Sequence, residues 1–196
     1  MKVIIIGYRA TGKSTVGLLL SKKLQIPFVD TDQLIEDTTG MPIKALVARP
    51  GWETFREKET EAIASLCDGN LCVVATGGGA ILSGVNRELL KNMGTLVYLK
   101  TPLHDIVERL TRDAQNKQIR PQFTSGNLVA ETIAALEERI PIYESTADFT
   151  VDTNGKSIAR VSDDIYQHLL EAGIVSDINK TKKRINHLVA SCRGMK

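Results

Sequence analysis

The segment VIIIGYRATGKST, residues 3–15, constrains the fold of this chain more than any other stretch. An apolar, β-branched run comes first and ends in a turn that fits G-x-x-x-x-G-K-[ST] with Gly7, Gly12, Lys13 and Ser14. Such glycines let successive backbone N–H groups point at phosphate oxygens, and the positive end of the following helix favours the anion. The segment predicts a strand, a phosphate-binding turn and a helix, and the alternative is a tight turn that binds no ligand.

Four more short apolar runs are spaced along the chain, and helical patterns separate them. They lack the polar alternation of half-exposed strands, which favours strands of a parallel sheet covered on both faces. The predicted fold class is therefore α/β, with helices on both faces of the sheet. The predicted strands cover residues 3–6, 28–29, 71–75, 95–99 and 149–151, and the clearest helical patterns cover residues 13–24, 52–67, 102–110 and 157–173.

The positive charge of the chain is concentrated at its end. Residues 176–196 contain six Lys or Arg and one Asp, whereas the whole chain has a net charge of +2, so the first 175 residues are acidic overall. The body offers no basic surface of the kind that binds nucleic acid, and we expect no such partner. We predict one domain over residues 1–175 and a basic tail over residues 176–196, which is either a solvated or disordered end or a contact for a partner.

Composition also argues against membrane and disulfide-rich classes. No apolar stretch reaches the roughly 18 residues that a membrane helix needs, and the first seven residues read as a strand rather than a signal peptide. The three cysteines form neither an even set nor a CxxC pair, so neither a disulfide framework nor a zinc site is indicated. We expect a cytoplasmic monomer with no membrane partner.

A polar stretch, RDAQNKQIRPQFTSGN over residues 112–127, resists assignment to a strand or a helix. Polar loops of this length are uncommon in compact domains unless they close over a site. We interpret residues 112–126 as a mobile lid, and a disordered surface excursion is the alternative.

Two carboxylates follow the second predicted strand, in the sequence FVDTDQLIE. Ligands of open α/β sheets bind at the carboxyl ends of the strands, where Asp30 and Asp32 are expected. One carboxylate can hold a metal ion or its waters while the other faces an acceptor hydroxyl. The alternative is that one of them only caps the helix that follows.

An arginine and a glutamate lie three residues apart in WETFREKETEA. On a helix, Arg56 and Glu59 would share a face, which is often only a surface ion pair. Near a site, Glu59 would instead hold Arg56 so that its guanidinium faces a carboxylate or phosphate of the substrate.

A second glycine-rich turn, ATGGGA, follows the third predicted strand. Gly77, Gly78 and Gly79 would let bare backbone approach a ligand and offer N–H donors that no side chain obstructs. The alternative, a turn that requires positive φ, explains one of the three.

Six ordered motifs, GYRATGKST, VDTDQLIE, FREKE, ATGGGA, IRP and ERIPIYESTAD, resemble those of the shikimate kinases, which belong to the nucleoside-monophosphate-kinase-like group of P-loop folds. The similarity covers residues 1–172. It implies a five-stranded parallel sheet, a mobile lid and Mg²⁺- and ATP-dependent phosphorylation of the 3-hydroxyl of shikimate on the route to chorismate.

The resemblance also implies roles for individual residues. Asp32 would contact the acceptor hydroxyls, and Arg56, Arg139, Gly77, Gly78 and Gly79 would bind the rest of shikimate. Lys13, Asp32 and Arg120 would be catalytic, with Arg120 in the lid over the phosphates. Metal binding falls to Ser14 and Asp30, and ATP binding to Ala10, Thr11, Gly12, Lys13, Ser14, Thr15, Arg120 and Lys156.

Three positions depart from the pattern of the family. Ala10 replaces a glycine that many members have, which requires negative φ there; RPQF replaces a more apolar continuation of the lid; and Lys156 occupies a variable position.

Three other functions are open alternatives. These are another small-molecule kinase of the same fold, such as a gluconate kinase, a GTP-dependent switch suggested by DTTG at residues 37–40, and a catalytically silent binding domain.

Overall fold

The computed structural model describes residues 1–49, 51–115 and 128–193, with the side chains of residues 113–115 and 187–193 left aside. Within these ranges five parallel strands form one sheet in the order β2-β3-β1-β4-β5. The strands are Lys2–Ile6 (β1), Phe28–Asp30 (β2), Cys72–Ala75 (β3), Gly94–Lys100 (β4) and Phe149–Asp152 (β5). The predicted α/β class and the five-stranded parallel sheet are confirmed.

Helices connect the strands, as parallel strands require. The first, Lys13–Leu24 (α1), has the predicted bounds. The other helices in the described ranges are Thr31–Thr39 (α2), Ile43–Ala48 (α3), Trp52–Ser65 (α4), Gly84–Met93 (α5), Leu103–Gln115 (α6), Leu128–Thr146 (α7), Ile158–Glu171 (α8) and Ile174–Arg193 (α9), and a 3₁₀ turn spans Ala80–Leu82. None of these helices is both long and apolar enough to cross a membrane.

The central strand β1 separates two apolar cores. Side chains alternate between the faces of a strand, so Val3 and Ile5 pack with residues of α1, α8 and α9, whereas Ile4 and Ile6 pack with residues of α4 to α7. All four side chains are fully buried. This two-sided burial explains why the run at residues 3–6 shows no polar alternation.

A third apolar cluster lies beside the end of β2. It joins α2, α3 and α4 through Ile35, Leu46 and Phe55, all of which are buried. Because α4 carries Arg56 next to Phe55, this cluster fixes the position of that arginine relative to the sheet.

The basic tail begins as part of the folded body. Helix α9 starts at Ile174, and Ile178 is 1% exposed within the core formed with α1 and α8. Lys182 donates a hydrogen bond from Nζ to the Leu24 carbonyl oxygen at 2.9 Å, which satisfies a backbone acceptor at the end of α1.

Helix α6 extends to Gln115, and most of the predicted lid, including Arg120 and the RPQF sequence, lies outside the described residues.

Candidate active site

The phosphate loop, residues 7–14, connects β1 to the start of α1. Gly12 has φ of 91° and precedes the helix without a side-chain cap, so the first backbone N–H groups of α1 face the loop. Lys13 is only 8% exposed, and its Nζ donates a hydrogen bond to the Tyr8 carbonyl oxygen at 2.6 Å. Thr11 donates from Oγ1 to the same oxygen at 2.8 Å. These bonds hold the lysine ammonium across a loop that has the geometry of an anion-binding site.

The expectation of negative φ at Ala10 is wrong. Its φ is 61°, in the left-handed region. A Cβ atom in this region crowds the following carbonyl oxygen and costs about 1 kcal/mol or more relative to glycine. The loop therefore keeps the conformation that a glycine would adopt and accommodates strain at Ala10.

Ser14 and Asp30, predicted from two separate motifs to bind metal, meet at the start of α1. Ser14 donates from Oγ to Asp30 Oδ2 at 2.5 Å, while Asp30 Oδ1 accepts from the Asp32 backbone N–H at 2.9 Å and caps α2. Asp30 thus caps α2 with one oxygen, while its other oxygen contacts the Ser14 hydroxyl at the phosphate loop. A hydroxyl and a carboxylate side by side are the oxygen ligands that Mg²⁺ prefers, so this pair fits such an ion.

The triglycine loop, residues 77–79, is surrounded by charged side chains. A Cβ atom on Gly77 would lie 2.6 Å from Glu59 Oε1 and 2.9 Å from Asp32 Oδ1. On Gly79 it would lie 2.6 Å from Arg56 Nη1. Side chains of α2 and α4 therefore pack directly on this backbone, and no larger residue fits without moving them.

The middle glycine meets the phosphate loop instead. A Cβ atom on Gly78 would lie 2.9 Å from the Arg9 backbone nitrogen, and the Gly78 carbonyl oxygen accepts a hydrogen bond from Tyr143 Oη at 2.5 Å. The alternative that a positive φ explains one of these glycines is wrong, because none of them has one. Close approach of neighbouring groups accounts for all three.

Arg56 and Glu59 form the predicted ion pair on α4. Arg56 Nη1 lies 2.5 Å from Glu59 Oε2, and the side chains are 30% and 1% exposed. The guanidinium also lies 5.5 Å from the Trp52 ring centre and 5.2 Å from that of Phe55. A buried carboxylate and two aromatic rings thus hold a guanidinium that solvent still reaches.

Arg139, on α7, approaches the triglycine loop from the other side. It is 7% exposed, lies 5.5 Å from the centre of the Tyr8 ring, and its Nη1 is 3.5 Å from the Gly78 carbonyl oxygen. The two arginines predicted to bind a substrate carboxylate therefore both contact residues 78–79.

Among the described residues, two open cavities adjoin the phosphate loop. One, of about 270 Å³, brings Lys13, Ser14 and Asp32 together with Gly78, and it is also lined by Arg9, which the sequence analysis did not single out. The other, of about 330 Å³, is lined by Ala10, Thr11, Gly12, Thr15, Val16, Arg109, Thr153, Lys156, Ile158 and Val161. Phosphate-loop residues line both cavities.

Arg109 is a second residue that sequence reasoning missed. It projects from α6, donates from Nη1 to the Ala10 carbonyl oxygen at 3.1 Å, and lines the larger cavity with Lys156. Its only sequence signal is a spacing of four from Asp105, with which it forms a 3.7 Å ion pair, and that spacing is common on helix surfaces.

A parallel sheet with a phosphate loop after its central strand, and a cavity beside that loop lined by Lys13, Asp32 and Arg9, are the features of a P-loop kinase. A family model described as shikimate kinase matches residues 9–170. The chain therefore belongs to the shikimate kinase family.

Individual relatives agree with this membership. The shikimate kinase of Syntrophus aciditrophicus is 43% identical over 171 residues, which cover 83% of this chain and 88% of that protein. That of Moorella thermoacetica is 37% identical over 167 residues, covering 85% and 93% of the two chains.

Among solved structures, a shikimate kinase is more similar to this chain than a kinase of another family with the same fold. The shikimate kinase of Acinetobacter baumannii, determined in complex with shikimate, has a TM-score of 0.81 at 34% identity and covers 87% of this chain and 93% of its own. A gluconokinase from Sinorhizobium meliloti has a TM-score of 0.52 at 14% identity, covering 92% of this chain and 96% of its own, which shows a common fold alone.

Proposed function

We propose that this member of the family transfers the γ-phosphoryl group of ATP to the 3-hydroxyl of shikimate, giving shikimate 3-phosphate and ADP for aromatic amino acid biosynthesis. The observation that carries the proposal is the cavity in which Lys13 of the phosphate loop meets Asp32, beside an arginine held over the triglycine loop. Such a site combines phosphate binding with recognition of a small hydroxylated anion.

The nucleotide lies along the phosphate loop in this proposal. Backbone N–H groups of residues 10–15 surround the phosphates, and the Lys13 ammonium exchanges the Tyr8 carbonyl for β- and γ-phosphate oxygens. The cavity lined by Lys156 and Arg109 receives the adenosine part, since it adjoins the phosphate loop and Asp32 lines the other cavity.

The acceptor lies between Asp32 and the two arginines. Arg56 and Arg139 bind its carboxylate, and the triglycine loop contacts its ring. The 3-oxygen forms a bond to the γ-phosphorus as the bond from that phosphorus to the β–γ bridging oxygen breaks, and the hydroxyl proton passes to Asp32. Positioning and charge stabilisation supply most of the rate in such transfers, which suits a site made of fixed charges.

Ser14 and Asp30 would hold Mg²⁺, Ser14 directly and Asp30 through water. When bound, the ion neutralises charge on the β- and γ-phosphates. The short Ser14–Asp30 contact supports this role because it brings two oxygen ligands together beside the phosphate loop.

Arg120 remains a proposed catalytic residue by family resemblance. In this role it approaches the transferred phosphoryl group from the lid, and lid closure excludes water that would otherwise hydrolyse ATP.

The monomeric state and the cytoplasmic location likewise remain predictions, which light scattering and cell fractionation test.

Phosphorus-31 NMR of the reaction products tests the proposed function. Purified protein with MgATP and shikimate should convert the γ-phosphate signal into one phosphomonoester, coupled to the proton on carbon 3, in amounts equal to the ADP formed. Excess EDTA should abolish this signal, and added Mg²⁺ should restore it. A product phosphorylated at another hydroxyl, or release of inorganic phosphate alone, would refute the assignment.

A further inference from the structure

Three tyrosines are buried in the core cluster beside α7, and the mechanism above uses none of their hydroxyls. Tyr8, Tyr98 and Tyr143 are 1%, 3% and 1% exposed and belong to one core cluster. The rings of Tyr98 and Tyr143 stack with their centres 4.9 Å apart and an interplanar angle of 11°. Aromatic packing alone explains why these rings are buried.

The Tyr143 hydroxyl needs a further explanation, because it bonds to the acceptor pocket. Its Oη donates to the Gly78 carbonyl oxygen at 2.5 Å. Burial raises the pKa of Tyr143 well above its usual value, so the hydroxyl keeps the proton that makes it a donor. Tyr143 follows Arg139 by one helical turn of α7, which places both side chains on the face toward Gly78.

The hydrogen bond to the Gly78 carbonyl oxygen fixes the orientation of the whole Gly78–Gly79 peptide group. The peptide group is planar and trans, so the Gly78 carbonyl and the Gly79 N–H point in opposite directions. A peptide between two glycines has no side chain to restrict its rotation. With its carbonyl bound to α7, the Gly79 N–H is directed away from α7, and the Gly79 backbone stays where the Arg56 guanidinium packs on it.

We propose that Tyr143 is a positioning residue of the acceptor pocket, whose hydroxyl fixes the Gly78–Gly79 peptide for shikimate binding. The inference rests on the proposed function. It separates two roles of one side chain: the ring stabilises the core, and the hydroxyl orients the loop. Without the hydroxyl, the Gly78 carbonyl would be left to Arg139 at 3.5 Å, and that arginine is needed for the acceptor carboxylate.

Tyr143→Phe isolates the hydroxyl, because it keeps the ring and its stack on Tyr98. The matched control is Tyr98→Phe, which removes the other hydroxyl of the same stack; in the described part of the chain that hydroxyl makes no bond to the triglycine loop. Steady-state kinetics should show the KM for shikimate raised about 5- to 150-fold in Tyr143→Phe, the range for leaving one buried acceptor without its partner. The KM for ATP should stay within about 2-fold in both variants.

The outcomes separate this inference from the function on which it rests. If the wild-type protein fails to phosphorylate shikimate, the proposed function is wrong. If the wild type is active but Tyr143→Phe has the same shikimate KM as Tyr98→Phe, or raises the KM values for shikimate and ATP equally, the positioning role is wrong. Thermal melting of both variants gives the assay temperature at which each is folded.

Discussion

The guanidinium of Arg56 lies over the backbone of Gly79, where a Cβ atom would stand 2.6 Å from Nη1 and 2.8 Å from Cζ. Helix α4 and the end of β3 are thus fitted to each other at the point where the acceptor carboxylate is proposed to bind. Glu59, on the same helix, packs on Gly77 by the same kind of contact. The Arg56–Glu59 ion pair therefore packs on the backbone of Gly77 and Gly79.

Gly79→Ala should impair the acceptor site and spare the fold. The added methyl group meets the far end of a flexible side chain, so Arg56 moves aside at little cost in stability and loses its alignment. We expect the KM for shikimate to rise at least 10-fold, which corresponds to about 1.4 kcal/mol, with the melting temperature changed by only a few degrees.

Gly84→Ala is the matched control for this experiment. A Cβ atom there meets only Arg87 Nη2 at 3.5 Å, an ordinary contact, and alanine favours the start of α5. Wild-type shikimate kinetics in Gly79→Ala would show that the Arg56 position does not matter for the acceptor.

Arg56→Ala should weaken acceptor use by about 2 to 5 kcal/mol, since it removes the arginine partner of the proposed charge pair with the acceptor carboxylate. This predicts a loss of roughly 30-fold to several thousand-fold in kcat/KM for shikimate. Lys58→Ala on the same helix removes an exposed cation that pairs only with Glu61 among the described residues, and it should leave the kinetics unchanged. Equal kinetics in the two variants would remove Arg56 from the site.

Ala10→Gly should stabilise the protein by about 1 kcal/mol, because glycine adopts the left-handed conformation of this position without the clash of a Cβ atom. Urea unfolding measures the difference. Ala134→Gly, at an exposed position inside α7, is the opposite control and should destabilise by about 1 kcal/mol. Destabilisation by both substitutions would mean that Ala10 does not hold positive φ in solution.

The buried tyrosines predict a loss of stability at high pH. Burial raises the pKa of Tyr98 to about 12, and it raises the pKa of Tyr143 as well. A raised pKa in the folded state means that the neutral form stabilises the fold: this contribution is complete below about pH 10, the pKa in the unfolded chain, and is lost as the pH rises toward 12.

Urea unfolding of wild type and Tyr98→Phe at pH 8, 10 and 11.5 checks this prediction. Phenylalanine cannot ionise, so the variant should lose less of its unfolding free energy between pH 10 and 11.5 than the wild type does. Parallel curves would show that Tyr98 does not contribute to the alkaline transition.

Local patterns predict the parts of the fold that local forces determine. The phosphate loop and α1 follow from glycine positions and apolar spacing within 22 residues, residues 3–24, and their bounds agree with the structure. Helix α7 is not among the predicted helices, and Pro141 lies inside it; Thr132, Leu136 and Tyr143 pack it into the domain on both sides of the proline. Tertiary packing offsets the lost helical hydrogen bond there.

The site shows the same limit. Sequence spacing predicted the Arg56–Glu59 pair, because residues three positions apart on a helix lie on the same face. The contacts of Gly78 with Arg9 and Tyr143 join residues more than 60 positions apart, and no local pattern contains them. Family resemblance assigned the triglycine loop to the acceptor, and the contacts around it explain why each position is a glycine.

The most direct test of the account is an ADP-release assay with MgATP and a panel of acceptors: shikimate, quinate, gluconate and nucleoside monophosphates. The wild-type protein should release ADP rapidly with shikimate, and Arg56→Ala should lose most of that rate at low acceptor concentration. Turnover confined to gluconate or to a nucleoside monophosphate, with none for shikimate, would contradict the proposed function.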